Sequence, residues 1–115
     1  MRALMRTILT ATGLAVFLFG GTALAGKRAN PNHGKSLYKS TCKLCHGRGS
    51  EAAELTPLSK TQAQWLRVFE QGLGECLKRV QAKTGKALTE ADLADIQAFL
   101  VAHAADSDQP ETCGE

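Results

Sequence analysis

The chain has 115 residues, and its 14 Lys and Arg against 11 Asp and Glu give a formal net charge of +3. This length suits one domain and is too short for two well-packed cores. One Trp, one Tyr and four Phe are too few to build the mixed aromatic and basic surface that binds nucleic acid. The composition therefore favours a small single-domain protein with no nucleic-acid partner.

The N-terminus has the three parts of a secretory signal peptide. Two arginines precede an apolar run over about residues 8–19, and residues 23–25 read Ala-Leu-Ala, the A-x-A pattern of a signal-peptidase site. A retained membrane anchor is the alternative, but the run is shorter than the roughly 20 apolar residues that a spanning helix needs. We expect residues 1–25 to be cleaved before Gly26, leaving an exported, periplasmic chain with no stable membrane insertion.

Cleavage would also remove most of the apparent basicity. The mature chain keeps 12 basic residues against 11 acidic ones, and all 12 lie in residues 26–89 together with only four acids. Residues 90–115 hold seven acids and no Lys or Arg. Such an asymmetry can orient a charged partner during encounter, but solvated helix faces followed by an acidic tail explain it without any partner.

The mature chain shows no good strand pattern, and its segments are predicted to be helices joined by short loops. The first helix spans about residues 33–44 and ends by presenting a C-x-x-C-H pentapeptide at residues 42–46. At this spacing two thiols attach covalently to the vinyl groups of a haem, while the adjacent histidine reaches the iron. The motif predicts one haem c held by Cys42, Cys45 and His46.

Redox dithiols and zinc sites also use a C-x-x-C pair. A redox dithiol usually opens a helix in a βαβ context, and this chain shows no strands. A zinc site needs further ligands at a suitable spacing. Since both alternatives lack their expected sequence context, haem attachment is the interpretation that the motif favours.

Three more helices are predicted after a loop over residues 47–60. Thr61 and Thr89 each begin a helix, because each is followed three residues later by a side chain that can complete a capping box. A shorter helix runs between them, from about residue 75 to residue 83. The apolar faces of the two capped helices are Leu66, Phe69 and Leu73, and Leu93, Ile96, Phe99 and Leu100. An irregular acidic tail follows over residues 106–115.

Together these features resemble the class I c-type cytochromes, a family of small mono-haem proteins, over about residues 34–100. The matching positions lie in the family's first and last helices and are Gly34, Leu37, Tyr38, Ile96, Phe99 and Leu100. The resemblance implies an all-α, cytochrome c-like fold of about four short helices around one covalently attached haem c, in a domain over residues 26–105. It also implies that Gly34 lets the last helix cross closely, and that the Pro57 carbonyl accepts a hydrogen bond from the proximal imidazole.

The distal iron ligand is the point at which this chain departs from the family. Met1 and Met5 are the only methionines, and both lie in the predicted leader, so the family's usual distal ligand is missing. In the family that methionine often lies about six residues before the cap of the last helix, where this chain has Lys83. A buried, neutral lysine amine can bind iron. The alternatives are an exposed Lys83 beside an open or water-occupied site, then His103, and last His33.

Cys76 and Cys113 are the two cysteines outside the motif. In an oxidising compartment we expect them to form a disulfide. This bond would tether the acidic tail and close a loop worth about 3 to 5 kcal/mol in the chain-entropy model. Two free thiols, or a Cys76 thiolate bound to the iron, are the alternatives.

The distal ligand also bears on function. Replacing a thioether by nitrogen removes a ligand that raises the reduction potential. We therefore expect a low-potential one-electron carrier rather than an enzyme, either free-standing or as the haem subunit of a larger oxidoreductase. The haem edge near residues 42–47 would exchange electrons with a redox protein that is acidic near its docking site. The basic residues around that edge are Lys35, Lys39, Lys43 and Arg48. The alternative is a haem protein that binds or senses a small ligand, such as a gas, at an open or displaceable distal site.

Overall fold

The structure, a computed structural model, describes residues 28–112, which form five α-helices and one short 3-10 turn and contain no strand. The predicted all-α fold is confirmed. The predicted signal peptide, its cleavage point before Gly26 and Cys113 lie outside the described residues, so these stay predictions. Within residues 28–112, no helix has the length and apolar character to cross a membrane.

Local sequence sets where two of the helices begin. The elements are α1 (Pro31–Ser40), α2 (Lys43–His46), α3 (Gln62–Gln71), α4 (Gly74–Thr84) and α5 (Glu90–Ala102), with the 3-10 turn at Pro57–Ser59. The Thr61 and Thr89 side chains each accept a hydrogen bond from the backbone N–H three residues on, and the side chain there accepts one from the cap's own N–H. These reciprocal bonds satisfy donors that the first turn of a helix leaves free. Both predicted capping boxes are therefore present.

The predicted first helix is divided into two. α1 ends at Ser40, because Thr41 takes a non-helical conformation and its hydroxyl donates to the Leu37 carbonyl at 2.6 Å. A threonine hydroxyl that bonds back to the preceding turn competes with the helical backbone ladder. α2 is then a single turn that carries most of the C-x-x-C-H motif. The motif therefore has a turn of its own instead of the end of a long helix.

The core forms where α1 and α5 cross. Gly34 lies at the crossing, and a Cβ built on it would be 1.9 Å from the Asp95 carbonyl oxygen, so no side chain fits there. The close approach that the family resemblance implied is therefore present. Beside it, the rings of Tyr38 and Phe99 pack with their centroids 5.9 Å apart, a usual spacing for aromatic pairs. The buried cluster consists of Tyr38, Trp65, Ile96, Phe99, Leu100 and Ala104.

The buried face of α3 differs from the prediction. Trp65 is 3% exposed, whereas Leu66, which we predicted to face the core, is 47% exposed. Val68 and Phe69 also pack against the core. They lie three and four residues after Trp65, which places all three on the same face of the helix. The Trp65 indole N–H donates to the Pro57 carbonyl at 2.9 Å. The prediction for Leu66 was wrong because the apolar pattern alone does not reveal this internal hydrogen bond.

α4 has little backbone contact with the other helices. Close backbone contacts join α1 to α5, α3 to α5 and α1 to α2, and among the described helices α4 has no comparable neighbour. It spans slightly more than the predicted residues 75–83 and ends at Thr84. Gly85 follows as its cap, with a positive φ of 71° that is usual for a left-handed helix end. α4 therefore approaches the rest of the molecule mainly through its side chains.

The last described residues fold back beside α1 and α5. Residues 106–112, called the tail below, contain neither helix nor strand. Glu111 forms an ion pair with Lys35 of α1, and its backbone N–H donates to the His103 carbonyl at 3.2 Å. At the other end, the Asp106 carboxylate accepts the Gln62 N–H at 2.8 Å. These contacts fix the tail against the helical domain at two points.

Candidate haem site

The three motif side chains lie together on α2 and the residue before it. Cys42 precedes the helix, and Cys45 and His46 form its last two positions. Residues three apart share one side of a helical turn, so the two thiols face the same way. Both thiols and the imidazole line one cleft. Neither cysteine is in a disulfide, as attachment to a haem requires.

The imidazole of His46 has a defined tautomer. Its Nδ1 lies 2.9 Å from the Ala53 carbonyl oxygen, and because a carbonyl oxygen can only accept, Nδ1 carries the hydrogen. The lone pair of Nε2 is then available to a metal. Metal-binding histidines are usually held in this way, with the second nitrogen donating to a carbonyl or carboxylate. His46 is therefore prepared to bind iron through Nε2.

The acceptor of this hydrogen bond corrects the prediction for Pro57. The Pro57 carbonyl accepts the Trp65 indole N–H instead. Ala53 reaches the imidazole because the loop after α2 folds back on the motif: the Ala52 and Leu55 N–H groups donate to the carbonyls of Cys45 and His46, each at 3.0 Å. Pro57 thus supports the core through Trp65, and the loop backbone orients His46.

Two observations argue against the two other uses of a C-x-x-C pair. Burial raises the pKa of the Cys42 thiol to about 11, although a hydrogen bond with the Thr41 hydroxyl opposes the shift. Redox dithiols need a lowered thiol pKa, and a zinc site needs further ligands. Within residues 28–112, no group of three or more His, Cys, Asp or Glu side chains is arranged to hold a metal ion by itself. Two cysteines that form no disulfide, beside a histidine, suit addition to haem vinyl groups instead.

An apolar cavity adjoins the motif. All five helices contribute to its walls. The lining residues are Tyr38, Cys42, His46, Leu55, Trp65, Val68, Phe69, Leu73, Cys76, Leu77, Val80, Leu88, Leu93, Ile96 and Leu100. Apolar walls beside two thiols and a histidine with a free Nε2 fit a covalently attached haem.

The comparison with protein families agrees with this site. The family model described as cytochrome c oxidase, cbb3-type, subunit III matches residues 29–100, which is more than half of the chain. The chain belongs to this family. No curated protein and no solved structure matches it. Membership of this cytochrome c family implies a covalently bound haem c, which is the cofactor predicted from the motif. It also implies haem-based electron transfer.

In this cytochrome c domain, the predicted distal ligand Lys83 lies outside the cavity lining. Its amine forms an ion pair with Glu51, and its side chain is 37% exposed. The hydrogen bond and the charge of Glu51 raise the pKa of Lys83, so the amine is protonated at neutral pH. A protonated amine has no lone pair. Lysine ligation would therefore require Lys83 to leave Glu51, lose its proton and turn inward.

The two other histidines of the cytochrome also lie away from the cavity. The His103 Nδ1 donates to the Gln109 carbonyl at 2.7 Å, and its ring packs on Phe99 with centroids 5.4 Å apart. His33, near the start of α1, pairs with the Asp95 carboxylate at 2.7 Å. Neither lines the cavity beside His46. Both are therefore engaged in contacts that hold α1, α5 and the tail.

Cys76 is the cavity residue that the sequence analysis undervalued. Its side chain lines both the apolar cavity and the cleft that contains Cys42, Cys45 and His46. Burial raises the pKa of this thiol. The helical spacing of the sequence could have revealed Cys76. Four residues recur at the intervals of one helix face, and all of them line the cavity: Leu73, Cys76, Leu77 and Val80. The predicted disulfide partner, Cys113, lies outside the described residues.

The basic residues predicted around the haem edge have different environments. Lys43 and Arg48 line an open cleft beside His46, together with Glu54. Lys39 is exposed on α1. Lys35, in contrast, is paired with Glu111 of the tail. Lys43 and Arg48 therefore lie beside the motif on the side of the open cleft, and Lys35 is largely neutralised.

Proposed function

We propose that this protein is a periplasmic, mono-haem electron carrier that works at low potential. The observation that carries the proposal is the grouping of the Cys42 and Cys45 thiols with the Nδ1-bonded His46 imidazole beside an apolar cavity. Cys42 and Cys45 form the thioethers, and His46 is the proximal iron ligand. The single C-x-x-C-H motif of the chain supports one haem.

The bound haem supplies reversible one-electron chemistry at its iron. The chain's own residues hold the group in place and keep water away from it. Ile96 and Leu100 are 1% and 2% exposed, and Trp65 is 3% exposed; all three line the cavity. A hydrophobic shell of this kind controls solvent access and the local dielectric, and so tunes the potential. The lack of methionine in residues 28–112 removes the ligand that raises the potential of many cytochromes c.

The proposed port for electron exchange is the edge formed by residues 42–47. Lys43 and Arg48 border it, and Leu44 is 43% exposed between the two motif cysteines. An exposed apolar residue with positive charges beside it suits a brief encounter with an acidic redox protein. The same edge would serve a free carrier or the haem subunit of a larger oxidoreductase, and the family description names an oxidase subunit.

A second candidate function is the binding or sensing of a small ligand such as a gas. The observation that favours it is the position of Lys83, which pairs with Glu51 and leaves the cavity without a lysine at its wall. An iron with no strong sixth ligand can bind carbon monoxide or a related molecule. The two functions therefore differ in the strength of the distal bond.

The test uses the full chain produced in a host that attaches haem c. Intact mass measures the number of haems and the cleavage point, and absorption spectra of the reduced protein are recorded before and after carbon monoxide. The carrier proposal predicts one haem, cleavage before Gly26 and a six-coordinate, low-spin spectrum that carbon monoxide does not change. A Cys42→Ala/Cys45→Ala variant is the control and should carry no covalent haem.

Rapid carbon monoxide binding by the native protein would reject the carrier and support the ligand-binding function. A native chain without covalent haem would reject both. Reversible reduction at a potential as high as that of methionine-ligated cytochromes would remove the low-potential part of the proposal while leaving electron transfer in place.

A further inference from the structure

The cavity beside the motif offers few atoms that can bind iron. Outside the motif, the lining residues with polar or sulfur atoms are Tyr38, Trp65 and Cys76. The Tyr38 hydroxyl donates to the Leu55 carbonyl, at 2.5 Å, and the Trp65 indole N–H donates to the Pro57 carbonyl; an indole N–H has no lone pair to give in any case. Of these three, Cys76 alone presents a good ligand atom for iron.

Cys76 lies on the face of α4 that lines the cavity. Leu73, Cys76, Leu77 and Val80 stand at i, i+3, i+4 and i+7 and form the α4 face that lines the cavity. Cys76 lies in the middle of this face, with apolar neighbours on both sides. Lys83 is one turn beyond Val80, where the helix leaves the cavity and the side chain meets Glu51. The helix therefore directs a sulfur, and not the lysine amine, toward the cavity.

The cluster of sulfur and nitrogen donors around α2 gives independent support. A second cleft is lined by Cys42, Cys45, His46 and Cys76 together, so α4 brings its cysteine to the same place as the haem-attachment motif. Once the two motif thiols are thioethers, Cys76 is the one sulfur of this cluster that is left to bind a metal.

From this placement we propose that Cys76 supplies the distal ligand, which makes the haem a histidine and cysteinate centre. The inference rests on the proposed haem-carrier function and deepens it. As the sulfur binds ferric iron it gives up its proton to solvent, because a coordinating thiol is deprotonated by its metal; the oxidation state of the iron does not change in this step. A thiolate donates electron density to iron, which agrees with a low potential.

The inference competes with the predicted disulfide, because one sulfur cannot serve both bonds. Thr112, the residue before Cys113, lines the cleft beside Lys43 and Arg48, whereas Cys76 lines the cleft beside Cys42 and Cys45. Glu111, the residue before Thr112, is held by its ion pair with Lys35 of α1. Thr112 and Cys76 therefore line different clefts, which have His46 in common.

The experiment records the absorption and electron paramagnetic resonance spectra of the ferric, haem-loaded protein. Thiolate ligation predicts a low-spin signal and a sulfur-to-iron charge-transfer band in the native protein. In Cys76→Ala the band should disappear, the ferric iron should become high-spin and the reduced form should bind carbon monoxide readily. In Cys76→Met the chain should recover a low-spin iron with a higher potential, because this change restores the thioether found in many relatives.

Two matched variants separate the competing assignments. Lys83→Ala and Cys113→Ala should both keep the native ferric spectrum. A spectrum that changes in Lys83→Ala but not in Cys76→Ala would overturn the inference in favour of lysine. A native protein that lacks the charge-transfer band and has no titratable thiol until it is reduced would overturn it in favour of the disulfide.

The native spectrum decides the question even where a variant fails to take up haem. A haem-loaded native protein without sulfur-to-iron absorption rejects Cys76 ligation and leaves the carrier proposal intact. A native chain that carries no haem rejects the carrier proposal, and the inference falls with it.

Discussion

At the scale of single residues, Gly34 has the clearest consequence for stability. Its backbone touches α5 so closely that an added Cβ would meet the Asp95 carbonyl oxygen at 1.9 Å and the Ile96 nitrogen at 2.9 Å. Both atoms belong to the backbone of a helix and cannot move aside as a flexible side chain can. Gly34→Ala should therefore push α1 away from α5 and lower the free energy of unfolding by about 1 to 3 kcal/mol, the usual cost of overpacking.

Denaturant unfolding of the haem-loaded protein measures this cost. Gly74→Ala is the matched control, because a Cβ there meets nothing within 4 Å and its position in α4 favours alanine over glycine. The control should be neutral or slightly more stable than the native chain. Equal stability of the two variants would show that α1 and α5 do not depend on contact at Gly34.

The residue scale also shows what the sequence pattern could and could not reveal. The C-x-x-C-H motif was predictable because its spacing defines it, and the glycine of the helix crossing was predicted from the resemblance to the class I c-type cytochromes. Trp65 is buried in place of Leu66 because its indole N–H bonds to the Pro57 carbonyl. The His46 imidazole bonds to the Ala53 carbonyl because the loop after α2 folds back on the motif. Such bonds leave no periodic signal in the chain. Cys76 had a helical signal, but cysteine in an exported protein also suggests a disulfide.

At the scale of elements, the helix starts were easier to predict than the helix ends. α3 and α5 begin at Thr61 and Thr89 because each cap is a local exchange of two hydrogen bonds. The break between α1 and α2 was missed, since the sequence does not show whether the Thr41 hydroxyl will bond back to Leu37. The tail position was also beyond prediction, because it depends on the tertiary pair between Glu111 and Lys35.

The docking of the tail should depend on pH through Glu111. The hydrogen bond from Lys35, followed by the charge of Lys35, lowers the pKa of this carboxyl, and His103 lies 3.4 Å from its second oxygen. A folded-state pKa below the unfolded value means that the stabilisation is complete above the ordinary carboxyl pKa of about 4.3. It is lost as the pH falls through the lowered value. The tail should therefore detach in acid while the helical core still holds.

Nuclear magnetic resonance titration of the Glu111 and His103 amide signals follows this detachment. In Glu111→Gln the acid-dependent shift should vanish, and the tail signals at neutral pH should already move toward those of the detached state. Asp108→Asn removes an exposed carboxyl of the same segment and should behave like the native chain. An unchanged titration in Glu111→Gln would mean that another group controls the tail.

At the scale of the whole molecule, the charge asymmetry of the sequence takes a definite form. Two acidic residues of the tail make contacts within the domain. Glu111 neutralises Lys35, and Asp106 caps the N-terminal end of α3. Near the motif, Lys43 and Arg48 line the open cleft together with Glu54, and Lys39 is exposed on α1. The fold thus brings two basic side chains to the proposed port and uses part of the acidic segment for internal contacts.

This distribution predicts how electron exchange responds to salt. The reduced protein should transfer electrons faster to an anionic metal complex than to a cationic one of similar driving force, and added salt should bring the two rates together as the charges are screened. Lys43→Gln should slow the anionic reaction at low salt by about twofold, in line with the small energy of one surface charge. Arg67→Gln, which removes an exposed charge on α3 outside the clefts beside the motif, should leave it unchanged. Stopped-flow measurement over a range of ionic strengths gives both rates, and equal effects of Lys43→Gln and Arg67→Gln would place the electron port elsewhere on the surface.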